Sequence, residues 1–207
     1  ILIRNGTYGV GIVGEIELSE IEKASVILGK KISSMIINNT PHSEISEEIN
    51  SERNSNIEYN WELIGDHIVS IIQTQELNFF AALDHFDFSM QIYEIDGENS
   101  ILKRFQVQHE LAKRYSDQSG LSRKFHLYED IVENSYSRMK SHNMDDDFYV
   151  HFRSSLWQLA LLSSAWKGEE SSEPLFRRLV DVMIDAKDEV GISVIEEYKE
   201  SVENRSG

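Results

Sequence analysis

The stretch "DHFD", residues 84 to 87, holds a histidine between two acids and is one place where this chain could perform acid–base chemistry. On a β-strand, His85 and Asp87 would point to the same side, because alternate residues of a strand share a face. A histidine beside a carboxylate can take up and return a proton during a reaction. The competing interpretation is a surface salt link.

A second group of possible ligands lies in "HNMDDDFYVH", residues 142 to 151. A helix that starts near Asp145 would place Asp147 and His151 on one face, and His142 could fold back beside them. Imidazole and carboxylate groups at this spacing suit a hard or borderline metal ion. The competing interpretation is a helix start with a solvated acidic first turn. The enzymatic alternative is a metal-dependent nuclease or hydrolase that uses His85, Asp87, His142, Asp147 and His151.

Gly9, Gly11 and Gly14 have the spacing G-x-G-x-x-G, which in dinucleotide-binding proteins joins a strand to a helix facing the pyrophosphate. Here an Asn-Gly pair interrupts the preceding strand, and the next helix begins only near Ser19. No acid follows where a ribose-binding carboxylate is expected. We therefore interpret these glycines as part of a strand, and we expect no cofactor.

Composition narrows the function classes further. The chain of 207 residues contains no cysteine, which excludes disulfides, thiolate zinc sites and cysteine nucleophiles. Its net charge of −16 disfavours binding to nucleic acid phosphates and to anionic membranes, and it attracts basic proteins. No segment has the long apolar run that a membrane span requires. We expect a cytoplasmic protein with a basic protein partner.

Two clusters of acids are the predicted partner-binding residues. They are Glu44, Glu47, Glu48 and Glu52 on one short helix, and Asp145, Asp146 and Asp147 before a later helix. Carboxylates at such positions accelerate association by electrostatic steering more than they raise final affinity. The competing interpretation for both clusters is ordinary solvated surface.

Turn and capping signals predict the elements of the N-terminal half. Residues 1 to 17 are predicted to form a β-hairpin, because an Asn-Gly pair there is a strong signal for a two-residue turn. Ser19 and Glu22 form an S-x-x-E capping box, which predicts a helix start. Residues 86 to 107 alternate at the strand period around an Asp-Gly turn, which predicts a second hairpin. The alternative is a helix over residues 100 to 115.

The C-terminal half shows strong helical periodicity from Leu121 onward. The helix that follows the Asp145 to Asp147 run is apolar on most sides, so we expect it to be central and buried. The predicted fold class is α+β, mainly helical, with a bundle-like core and an N-terminal hairpin. We predict a hairpin-plus-helices region over 1–107 and a helical region over 108–207. One continuous domain is an alternative, and so is a piece of a longer chain.

The span from Ala112 to Ile195 contains the segments "LAKRYSDQSGLSRKFHLYEDIVE" and "FYVHFRSSLWQLALLSSAW". In them, a helix ending in a Lys/Arg-Tyr-Ser turn precedes a helix rich in Trp, Leu and Ser. In this pattern the chain resembles the helical immunity proteins of PoNe-type polymorphic nuclease toxins in bacteria. The family's later Gly-Tyr-Trp segment is absent, and no functional residue is carried over. The resemblance implies an acidic, non-catalytic inhibitor that meets a basic toxin.

These observations favour an acidic, non-enzymatic binding protein that engages a basic protein, most concretely an immunity or inhibitor protein of a bacterial toxin. One alternative is the metal-dependent nuclease or hydrolase described above. Another is a structural or interaction module of a larger multidomain protein, which a first residue of Ile rather than Met suggests.

Overall fold

The structure is a computed structural model that describes residues 18–74, 77, 79–115, 120–139 and 144–206. In this part of the chain nine α-helices follow one another: α1 Glu20–Ile37, α2 His42–Arg53, α3 Trp61–Thr74, α4 Phe79–Asp96, α5 Ile101–Arg114, α6 Leu121–Arg138, α7 Asp147–Lys167, α8 Glu169–Ala186 and α9 Glu189–Ser206. A 3-10 turn, Gly97–Ser100, joins α4 to α5.

The fold is all-α, and the predicted α+β class is wrong, because no strand occurs among the described residues. The second predicted hairpin, over residues 86 to 107, is replaced by α4 and α5, and the alternative helix over 100 to 115 is confirmed. The Asp-Gly signal does mark a break, since Gly97 has a φ of +70° and starts the 3-10 turn. The first predicted hairpin falls on residues 1–17, which lie outside the described residues.

Helix α4 carries two apolar stripes, and these produced the strand-like pattern. Phe86 and Met90 pack in one hydrophobic cluster, whereas Phe88 and Ile92 are buried in another. Positions two apart on a helix lie roughly 200° apart around its axis. Residues that alternate along the sequence therefore alternate between two cores. A helix buried on opposite sides mimics the period of a strand.

The two clusters divide the helices, and α4 belongs to both. The buried residues of the smaller cluster come from α1, α2, α3 and α4, and those of the larger from α4 to α9. Val69 and Ile72 of α3 also pack against the larger cluster. Helices that follow one another mostly pack together, and α1 also packs on α3. The predicted division at residue 107 falls within α5, and it stays a prediction.

Local signals place the start of α1 correctly. The backbone N–H of Glu22 donates to the Ser19 hydroxyl at 3.2 Å, and the Ser19 N–H donates to the Glu22 carboxylate at 2.8 Å. This reciprocal pair confirms the predicted capping box. It satisfies N–H groups that have no partner within a helix.

Helix α7 is the central element of the larger cluster, as its apolar sequence predicts. It packs against α5, α6 and α8, and its residues Phe152, Leu156 and Ala160 are fully buried. Its position lets α7 present polar side chains to several neighbours. Among the described helices, none combines the length and the apolar character needed to cross a membrane.

Candidate functional site

The four glutamates of α2 have different environments. Glu44 and Glu47 are exposed and have no partner among the described residues. Glu48 forms an ion pair with Lys31 of α1, and Glu52 accepts a 2.7 Å hydrogen bond from a tyrosine hydroxyl before α3. Two of the four predicted residues therefore hold α2 in place, and two remain open to solvent.

The second acidic cluster lies at the start of α7. Asp146 is the N-cap of this helix, and its carboxylate accepts a 2.9 Å hydrogen bond from the Phe148 N–H. Asp145 and Asp147 are exposed. Acids at this position also favour the helix dipole, so the cluster has a structural use. Its role in partner binding stays a prediction.

His85 and Asp87 lie on α4 and point in different directions, contrary to the strand geometry expected for them. His85 is fully buried, and its Nδ1 donates to the Ala81 carbonyl at 2.6 Å. Burial lowers the pKa of His85, and its Nε2 has no partner among the described residues. Asp87 pairs instead with Arg123 of α6 at 3.0 Å. The structure does not bring these two side chains together as an acid–base pair.

Asp147 and His151 do lie four residues apart on α7, as expected. The His151 ring lies 5.5 Å from the His109 ring, and burial lowers the pKa of His151 against the opposing effect of Asp147. His142 falls outside the described residues. Within the ranges that the structure describes, no group of three His, Asp or Glu side chains is arranged to hold a metal ion.

A cavity of about 400 Å³ between α4, α5 and α6 gathers charged residues of both signs. We call it the polar cleft, and its acidic, guanidinium and amide side chains are Asp87, Gln91, Glu94, Arg104, Gln108, Arg123 and Asp130. Burial raises the pKa of Asp87, and the guanidinium of Arg123 opposes that rise. The cleft is therefore built from ion pairs between neighbouring helices and is close to charge balance.

Asp130 fixes two side chains of α5 in the polar cleft. Its carboxylate accepts hydrogen bonds from Arg104 at 2.8 Å and from the Gln108 amide nitrogen at 2.6 Å, and its other oxygen accepts from Asn134 at 2.9 Å. Gln108 is only 3% exposed, and its amide oxygen has no partner among the described residues. Sequence reasoning missed this group, although Arg104 and Gln108 have the spacing of helix neighbours.

Asp188, at the start of α9, is the centre of a second network that the sequence reasoning missed. It accepts hydrogen bonds from the Tyr149 hydroxyl at 2.9 Å, from Arg153 at 2.6 Å and from the Gly191 N–H at 2.9 Å. Burial alone would raise the pKa of this carboxyl, but these hydrogen bonds hold it below the ordinary value. The signal available in the sequence was Tyr149 and Arg153, four residues apart on one helix.

Ion pairs within the chain neutralise many of its positively charged side chains. Of the 20 lysines and arginines in the chain, ten form an ion pair with a carboxylate in the described residues: Lys23, Lys31, Lys103, Arg104, Lys113, Arg123, Arg138, Arg153, Arg177 and Lys199. The chain has 36 acids against 20 lysines and arginines, and many carboxylates of the described residues are left without such a pair.

Some of these surplus carboxylates lie on the neighbouring helices α2 and α4. The two helices touch through the His42 and Phe88 rings, whose centroids lie 5.2 Å apart. Glu44 and Glu47 on α2 and Glu94 on α4 are exposed, with no partner among the described residues. Glu94 lines a cavity together with the cation Arg53 of α2, so we call only Glu44 and Glu47, three residues apart on α2, the acidic face.

Comparison with protein-family models, with curated proteins and with solved structures gives no match.

Proposed function

We propose that this chain is a non-enzymatic binding protein that engages a basic protein through its acidic face. The observation that carries the proposal is that many cationic side chains are paired within the chain, whereas several exposed carboxylates in its described part are not. Ten lysines and arginines are held by carboxylates of the same chain, whereas Glu44, Glu47 and Glu94 are exposed without a partner in the described residues. The surface therefore presents negative charge to an approaching protein.

Rigid positioning of α2 supports this role. The ion pair of Glu48 with Lys31 attaches α2 to α1, and the buried side chains of Ile45 and Ile49 anchor it in the smaller cluster. Exposed carboxylates on an anchored helix keep fixed positions relative to one another. Fixed charges can complement a patch of lysines and arginines on a partner without first being ordered.

The most concrete form of the proposal is an immunity or inhibitor protein that neutralises a basic toxin. It is supported by the resemblance of residues 112 to 195 to immunity proteins and by the net charge of −16. A nuclease must attract an anionic substrate, so its binding cleft is commonly basic. An inhibitor with an acidic face would be complementary to such a cleft.

The test measures association with the protein encoded beside this one, provided that the neighbour is basic. Stopped-flow association rates are compared at about 0.02 M and about 0.15 M salt, where the screening length falls severalfold. We expect the rate constant to fall by about tenfold, because steering raises on-rates by roughly 10- to 1000-fold. A rate that does not depend on salt, or no binding at all, would contradict the proposal.

Paired variants locate the surface. The Glu44→Gln/Glu47→Gln double variant is expected to slow association severalfold at low salt while the dissociation rate changes little. Glu196→Gln/Glu197→Gln on α9 removes the same charge from another exposed surface and is the matched control. Equal slowing by the two double variants would show that net charge, rather than the acidic face, governs the association.

A further inference from the structure

We propose that a cavity between α5, α6, α7 and α9 binds a small organic anion with an apolar body, of the aryl- or alkyl-carboxylate class. The cavity has a volume of about 510 Å³. Its polar and cationic side chains include Lys113, Lys124, Arg153 and Ser154, and we call it the basic pocket. It shares no lining residue with the acidic face, so ligand binding and partner binding can be tested separately.

The described side chains that line the basic pocket include cations and no acid, although the whole molecule is acidic. Among the described residues that line it, three are cationic and none is a carboxylate. The polar cleft, by contrast, pairs its arginines with Asp87 and Asp130 in its own walls. A concave site that collects cations on a chain with a net charge of −16 indicates selection for an anionic ligand.

The three cations differ in how they are held. Arg153 is 38% exposed at its side chain, and one of its nitrogens donates to the buried Asp188 carboxylate at 2.6 Å. This contact orients the guanidinium and leaves its remaining N–H groups for a ligand. Lys113 pairs with the exposed Glu110 at 2.5 Å. Lys124 has no carboxylate partner among the described residues, so its charge is uncompensated.

Another part of the wall of the basic pocket is apolar. Val190 and Val194 of α9 line it and are 76% and 50% exposed, and the Trp157 ring of α7 lines it as well. Pockets for small ligands combine apolar walls with a few placed polar groups, which set the orientation of the ligand. An aromatic or short aliphatic body would cover this wall while its anionic group meets the cations.

His109 also lines the basic pocket, and it is uncharged at neutral pH. Its Nε2 lies 3.1 Å from the Ser155 hydroxyl and 3.5 Å from that of Ser154. Burial, with the positive charges of His151 and Lys113, lowers the pKa of His109 to about 4. At neutral pH this imidazole is uncharged, so selectivity for an anion rests on the lysines and Arg153.

The test uses 4-phenylbutyrate and its uncharged analogue 4-phenylbutanamide as probes. Calorimetric titration of the complete chain is expected to give a dissociation constant of a few millimolar for the carboxylate, from a typical gain of about 0.3 kcal/mol per heavy atom. The amide should bind about tenfold more weakly, because charge-assisted hydrogen bonds are roughly twice as strong as neutral ones. The Trp157 indole N–H should shift in ¹H–¹⁵N NMR spectra on binding.

Lys124→Gln is expected to weaken carboxylate binding by about tenfold and to leave amide binding nearly unchanged. Lys30→Gln removes one positive charge from an exposed position of α1, away from the pocket, and is the control. Val194→Ser should weaken both probes to a similar degree. The inference is overturned if the wild-type chain binds neither probe, if it binds both equally, or if Lys30→Gln weakens the carboxylate as much as Lys124→Gln.

Discussion

Arg153 of α7 donates a 2.6 Å hydrogen bond to Asp188, a carboxylate whose side chain is only 2% exposed, across 35 residues of sequence. The contact joins α7 to the start of α9, and the Tyr149 hydroxyl strengthens it with a second hydrogen bond. A buried carboxylate is tolerated when a cation and hydrogen-bond donors surround it. Asp188 therefore has two roles. It accepts a hydrogen bond from the Gly191 N–H in the first turn of α9, and it orients the Arg153 guanidinium in the basic pocket.

Replacing Asp188 by Asn should lower the free energy of unfolding at neutral pH. Removing one partner of a fully buried pair costs about 3–5 kcal/mol, and we expect less here because Arg153 can reach water. The pKa of Asp188 is lower in the folded chain than its ordinary value of 3.8, so the ionised group contributes stability above that pH. That contribution is lost as the pH falls below 3.8 through the folded-state pKa.

Urea denaturation of the wild type and of Asp188→Asn checks this. The difference between the two free energies of unfolding should stay constant from neutral pH down to about pH 5 and shrink at more acid pH. A difference that persists unchanged in strong acid would show that side-chain packing, rather than the ionised carboxylate, supplies the stability.

His109 should make the fold sensitive to a different range of pH. Its pKa is about 4 in the folded chain against 6.5 ordinarily, mainly because of burial. The unfolded chain thus binds a proton first as the pH falls, and the free energy of unfolding should decrease between about pH 6.5 and pH 4, by at most on the order of 3 kcal/mol. His109→Gln should flatten this part of the curve. Gln106→Ala, at an exposed position of the same helix, should leave it unchanged.

Gly65 of α3 and Tyr93 of α4 leave no room for an added methyl group. A Cβ at Gly65 would lie 2.5 Å from Cε1 of the Tyr93 ring, which is 2% exposed and whose hydroxyl donates to Asp66 at 2.7 Å. Gly65→Ala should therefore lower the free energy of unfolding by about 1–3 kcal/mol. This overpacking cost outweighs the roughly 1 kcal/mol that alanine gains over glycine in a helix.

A double-mutant cycle tests the assignment of that cost to Tyr93. In a Tyr93→Leu background the ring is gone, and the Gly65→Ala change should be much less costly, which urea denaturation of the four proteins would measure. An equal cost in both backgrounds would place the conflict elsewhere.

How well the sequence predicts each element depends on how far apart along the chain the interacting residues lie. The Ser19–Glu22 capping box lies within four residues, so the sequence reveals it directly. The sequence of α4 has the pattern of a strand because its two apolar stripes face two cores, and the existence of two cores is a property of the whole fold. Periodicity identifies an element with one apolar face, and it fails where opposite faces are both buried.

The same limit applies to the sites. The acidic clusters could be read from the sequence, but only the structure separates Glu48, which is paired with Lys31, from the open Glu44 and Glu47. The hydrogen bonds of Asp130 to α5 and of Asp188 to Arg153 join residues that are at least 22 positions apart in the sequence. No spacing rule relates such residues. A surplus of charge is visible in composition, whereas its distribution depends on tertiary pairing.

Asp130 and Gln108 should respond differently to replacement, although they are hydrogen-bonded at 2.6 Å. Asp130→Ala leaves the buried Gln108 amide without its acceptor and Arg104 without its ion-pair partner, and should cost about 1–3 kcal/mol of unfolding free energy. Gln108→Leu removes an amide oxygen that has no partner in the described residues and keeps the Arg104–Asp130 pair. Since this change also removes an unsatisfied buried acceptor, we expect a near-neutral or stabilising effect. Urea denaturation of both variants measures the two changes in the free energy of unfolding. If Gln108→Leu lowers it as much as Asp130→Ala does, the amide oxygen of Gln108 has a hydrogen-bond partner in solution.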